Sequence, residues 1–82
     1  MRSIDRDTGA IIDLDGDKLK GLRTSQGLTL ADVADKAGVS FGFVGHIEHE
    51  RCCPGLAVIA RLRIVFGSAL EQSGAIVVTE QK

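Results

Sequence analysis

Eighty-two residues make one small domain, and a 44% hydrophobic content is that of a globular chain rather than a disordered one. The formal charge of −1 is unevenly spread: residues 1–16 carry −2, residues 17–66 carry +2 and residues 67–82 carry −1, a mildly basic middle compatible with a nucleic-acid partner. No apolar run approaches the roughly 18 residues that span a bilayer, and MRSIDRDTG is too polar and acidic for a secretory signal, so a cytoplasmic protein without membrane association is expected.

In chain order, RSIDRDTGAIIDLDG reads as extended structure, with β-prone runs around Asp7-Thr8-Gly9 and Gly9 suited to the positive φ of a turn. Ile12 and Leu14 alternate with Asp13 and Asp15, which predicts a strand over about 10–14 with one covered face. The helical core is expected over about 17–72. Its first helix runs from about Asp17 to Gln26, with Leu19 and Leu22 on one side and Gly27 as the stop. The aspartates of DLDGDK lack the twelve-residue spacing of a calcium loop and are assigned to strand end and helix cap. In LTLADVADKAG, Thr29 caps a second helix, Asp32 completes a capping box, and Gly38 ends it. Val33, Ala34 and Ala37 form its narrow apolar face.

Ser40 caps a third helix, about Phe41 to His49, with Val44 and Ile47 inward. Cys52 and Cys53 follow; adjacency disfavours a disulfide between them and fits a reducing compartment. Pro54-Gly55 precedes a fourth helix, LAVIARLRIVF, which Gly67 stops. Leu56, Ile59, Leu62 and Phe66 make its core stripe, while Ala57, Ala60 and Ile64 make a second one, covered either by a terminal strand or by a partner subunit. Ser68 to Gln72 adds a turn, and AIVVT predicts a strand over about 75–79. Three Phe and no other aromatic leave the core to aliphatic side chains. The two terminal strands are expected to pair with each other, in one chain or across a dimer, burying Ile12, Leu14, Ile76 and Val78.

Two short helices joined by AGVS outline a helix-turn-helix. Leu-Arg in the first helix, Gly-Leu-Thr before the second, Val-Ala inside it, Gly-Val-Ser at the turn, Ile-Glu in the third and Pro before the fourth agree with it over about 17–70. In these features the chain resembles the phage-repressor-like (Cro-like, Xre-type) helix-turn-helix family. The resemblance implies a mainly α, four- to five-helix lambda-repressor-like domain, here with short N- and C-terminal β-strands. It implies a transcriptional regulator rather than an enzyme, without cofactor or metal, binding double-stranded DNA as a homodimer with the third helix in the major groove. It also implies a structural ion pair between Arg23 and Glu48.

The helical period turns Phe41, Gly42, Gly45, His46 and His49 outward, and Phe43 is grouped with them as base-facing. Thr29, Lys36, Ser40 and Arg51 are the expected phosphate contacts. This face carries fewer hydrogen-bond donors than base reading normally uses, and HERCCPG has cysteines where the family carries more positive charge. Each interior glycine costs about 0.5–1 kcal/mol relative to alanine, which argues for close approach to another surface, DNA or protein. The alternative reading is therefore a protein-interaction module on the same fold with eroded DNA contacts. His46, His49, Cys52 and Cys53 space as H-x-x-H-x-x-C-C, but they straddle a helix end without a second paired arm and are not assigned to a metal. Nor do the cysteines come with the base and cleft of a nucleophilic enzyme.

Overall fold

Three of the helices begin where a capping side chain, Asp15, Thr29 or Ser40, puts them. The computed structural model describes residues 1–79, in the order β1 (Arg2–Ile4), β2 (Ile11–Leu14), α1 (Gly16–Ser25), α2 (Leu30–Ala37), α3 (Phe41–Glu48), α4 (Leu56–Phe66), α5 (Ala69–Gln72) and β3 (Ile76–Thr79). Asp15 caps α1 by accepting the Lys18 N–H at 3.1 Å, so this helix starts one residue earlier than expected. At α2 the capping box is complete: the Asp32 N–H donates to Thr29 Oγ1 at 3.1 Å, and the Thr29 N–H donates to Asp32 Oδ2 at 2.9 Å. Gly38 ends α2 at φ 69°, in the left-handed region where a side chain is disfavoured. Arg61 of α4 donates to the Ala37 carbonyl at 3.2 Å, filling one of the acceptors that a helix end leaves open.

The three strands form one antiparallel sheet in the order β1-β2-β3. Pairing of β2 with β3 takes place within the single chain, with Ile12 opposite Val78 and Leu14 opposite Ile76. The β-prone run before Asp7 becomes β1, joined to β2 by a turn in which Asp5 Oδ2 accepts both the Thr8 N–H and its hydroxyl, at 3.0 and 2.7 Å. Alternation along β2 and β3 sends Ile12, Leu14 and Ile76 into a core shared with Leu19, Val33, Val44, Ile47, Ile59, Leu62, Phe66 and Leu70. Val78 is half-buried against it. The sheet packs beside α5, leaving the second stripe of α4 bare: Ala57 and Ala60 are exposed, and Ile64 is 79% exposed. A terminal strand therefore does not cover that stripe.

A charge pair sits inside this apolar frame. Arg23 Nε donates to Glu48 Oε2 at 2.7 Å and Nη2 to Glu48 Oε1 at 3.2 Å, while Nη1 reaches the Leu28 carbonyl at 2.9 Å. Both residues are only 9% exposed, and no buried side-chain N or O among the described residues lacks a partner. The guanidinium thus ties α3 and the loop before α2 to α1 in a single planar fork.

Arg23→Ala, which leaves a buried carboxylate unpaired, should lower unfolding free energy by about 3–5 kcal/mol in urea titration. Thr29→Ala should cost about 1 kcal/mol in the same measurement. The Asp32 carboxyl is held below its ordinary value, first by the Thr29 N–H and then by the Thr29 hydroxyl. A depressed carboxylate contributes stability above its unfolded pKa and loses it as pH falls through its folded one. The difference in melting temperature between wild type and Asp32→Ala should therefore be full near neutrality and close progressively below the ordinary aspartate value of 3.8.

Candidate functional site

The helix that follows the α2 turn, α3, exposes an aromatic ring, a glycine and two imidazoles. Ser40 starts it by accepting the Phe43 N–H at 3.2 Å, and Val44, Ile47 and Glu48 point inward. Phe41 stands 60% exposed at its first turn, with Gly42, His46 and His49 also exposed and Gly45 half-buried. Phe43 corrects the sequence expectation: its ring is half-buried and packs against the core, so it does not share the open face. Phe43 sits at the border of the two faces, next to Val44, and packing against the core draws its ring to the inner side.

The two glycines of α3 answer to nothing inside the chain. A Cβ added at Gly42 or Gly45 would meet no atom within 4 Å, and neither residue has a positive φ. Neither packing nor backbone conformation calls for glycine there.

After α3 the chain turns sharply. Glu50 adopts φ 55°, the sole positive φ among described residues other than glycine, and the Arg51 N–H donates to the His46 carbonyl at 2.9 Å. Glu50 Oε2 accepts the Gly16 N–H at 3.2 Å, and Oε1 accepts from the Met1 amino group at 3.0 Å. Sequence reasoning missed this role for Glu50, because its partners lie at the other end of the chain. Arg61, the C-terminal clamp on α2, was missed for the same reason. Gly38 was the available signal for a helix end needing outside help, but nothing local named the donor.

Thr29, Lys36, Ser40 and Arg51 are all exposed, although the hydroxyls of Thr29 and Ser40 already serve as caps. Lys36 shares α2 with exposed Asp32 and Asp35. Those acids border an open hollow of about 420 Å³ between α2 and the start of α3, floored by Ala34 and Gly38 and rimmed by Phe41. Cys52 and Cys53 are half-buried against the core, whereas His46 and His49 face outward. Among the described residues no three His, Cys, Asp or Glu side chains converge to hold a metal ion. What the surface offers is one aromatic ring, two imidazoles, a low glycine floor and a few separated cations.

A family model described as helix-turn-helix matches residues 19–72. Two curated relatives, each named Transcriptional regulator ClgR, come from Mycobacterium tuberculosis strains CDC 1551 / Oshkosh and ATCC 25618 / H37Rv. Each is 43% identical over 47 residues, a stretch covering 57% of this chain and 42% of the relative. The chain thus spans less than half the length of the curated relatives it matches. No solved structure matches. The matched segment takes in all five helices but the first three residues of α1, with the α2–turn–α3 pair at its centre, and the chain belongs to the Xre/Cro-like helix-turn-helix family.

Proposed function

We propose that the protein is a sequence-specific, DNA-binding transcriptional regulator, a repressor or Cro-like, that reads double-stranded DNA by laying α3 in the major groove. The observation that carries this reading is the pair of glycines on one helix face, Gly42 in the first turn of α3 and Gly45 in its interior, whose Cβ positions open onto empty space. The interior glycine costs about 0.5–1 kcal/mol that nothing within the chain offsets, and a surface that must come close to the helix supplies the reason for both. On that surface Phe41 covers a thymine methyl group, and His46 and His49 reach base edges or phosphate oxygens. Thr29, Lys36, Ser40 and Arg51 meet the backbone. At the start of α4 the cap residue Gly55 offers no side-chain bond, so the first N–H groups there are available to a phosphate.

So few cations give each subunit a light grip, and a two-fold dimer compensates by setting two copies of α3 about one helical turn of DNA apart. The bare stripe of α4 is suited to that pairing. Ile64 projects beside the small Ala57 and Ala60, so an antiparallel contact of two α4 helices seats each isoleucine over the partner's alanines.

A second reading is favoured by Asp32 and Asp35, which place negative charge beside Phe41 at the rim of the α2–α3 hollow. Carboxylates there repel phosphate and suit a protein partner with basic and apolar side chains.

Selection of duplexes from a random-sequence pool, followed by salt-titrated binding, separates the two. A selected sequence bound far above a scrambled one, with affinity falling linearly on a log–log salt plot, is expected; no selection at any salt concentration refutes the DNA reading. Gly45→Ala should raise stability by about 0.5–1 kcal/mol, and Gly42→Ala, in the first turn, by less, while both weaken that binding. In sedimentation, wild type should run as a dimer and Ile64→Lys as a folded monomer; a monomeric wild type at concentrations well above those that saturate DNA removes the dimer.

A further inference from the structure

We propose that Gly16, with Glu50, is a positioning residue that sets the pose of α3, so that the three-stranded sheet governs which base edges the helix meets. The inference rests on the reading of α3 as the DNA-contacting helix.

Gly16 is the first residue of α1 and is buried. Its φ is not positive, so its backbone does not require glycine, and alanine there would favour the helix. What excludes a side chain is contact. A Cβ on Gly16 would fall 2.8 Å from the carbonyl carbon of Glu48 and closer still to its oxygen. Those are backbone atoms of the last residue of α3, with no flexible side chain to swing aside. The start of α1 is therefore a stop against which the end of α3 rests.

Glu50 closes the contact from the other side. It holds φ 55°, a conformation that residues with a side chain rarely take, and its carboxylate accepts the Gly16 N–H at 3.2 Å. Gly16 in turn is placed by the sheet. It follows β2 by one residue, Asp15, whose N–H donates to the Ala75 carbonyl beside β3 at 2.9 Å. A rigid path of backbone thus runs from the β2–β3 pair through Asp15 and Gly16 to the end of α3. The Arg23–Glu48 fork fastens α3 to α1, whereas Gly16 sets how closely its end may approach.

Gly21 provides an internal control. It lies in the same helix, is exposed, and a Cβ there would meet nothing within 4 Å. On the duplex selected by wild type, Gly16→Ala should lose about tenfold in affinity, the size of losing one base contact, with affinity for a scrambled duplex and far-UV circular dichroism unchanged. Gly21→Ala should match wild type on both duplexes. Glu50→Gln, which keeps one acceptor oxygen for Gly16 while giving up the pair with the Met1 amino group, should bind nearly as wild type, and Glu50→Ala should lose selectivity. Equal loss in Gly16→Ala and Gly21→Ala, parallel loss on both duplexes, or no loss in Gly16→Ala overturns the proposal. Should Gly16→Ala fail to fold, Glu50→Ala decides in the same way. Should wild type select no duplex, it is the DNA reading that fails; the contact is then judged by the amide chemical shifts of residues 41–49, which must move in Gly16→Ala and stay in Gly21→Ala, and unmoved shifts overturn it.

Discussion

Burial of the Arg23 guanidinium against Glu48 is the constraint around which the helices are arranged. Two opposite charges removed from water are costly, and their attraction repays that only when geometry is good and every remaining donor is used. Here the fork places two donors on the carboxylate and a third on the Leu28 carbonyl, so α1, the loop that follows it and the distant end of α3 must arrive together. An aliphatic core of leucine, isoleucine and valine tolerates some sliding of helix on helix, whereas a planar charge pair has one good arrangement. The core supplies cohesion and the ion pair supplies registry, fixing where α3 lies on α1.

The local chemistry of the sequence carried most of the helical frame. Thr29 with Asp32, Ser40, Gly38 and Gly67 punctuate the chain by rules that act within one or two turns, and the start and end of α2, the start of α3 and the end of α4 fall where those residues put them. Alternation in Ile12-Asp13-Leu14 likewise located a strand and its buried face. Legibility ended where partners are remote. Nothing near Gly16 announces that its hydrogen atoms face the carbonyl of Glu48, and nothing near Glu50 or Arg61 announces a backbone partner dozens of residues away. The site was readable to the same depth: helical period separated Val44 and Ile47 from Phe41 and His46, but Phe43 lies at the border between the faces, where period alone assigns either.

The outer face of α3 carries two glycines that neither packing nor backbone conformation requires, where α1 carries one such residue, Gly21. Each glycine with a positive φ ends a helix or turns a loop, and each buried side-chain N or O among the described residues has a partner. In α3 the chain gives up helix propensity and side-chain contacts at two positions without internal compensation. Local rules broken without an internal gain are where selection for something outside the chain is expressed.

The β2–β3 pair brings together the two ends of the described chain, with Ile12 beside Val78 and all five helices lying between them in sequence. Helices α1 to α4 can form and begin to associate through contacts that are close in sequence, but the sheet has to wait for the most distant pairing in the molecule. Closing a loop of that length carries an entropy cost that local helix formation does not share. During synthesis, β1 and β2 emerge before the helices and form at most a marginal hairpin until β3 leaves the ribosome. The strand that follows the helices thus completes the platform on which α1 stands, and the fold closes as a ring rather than growing from one end.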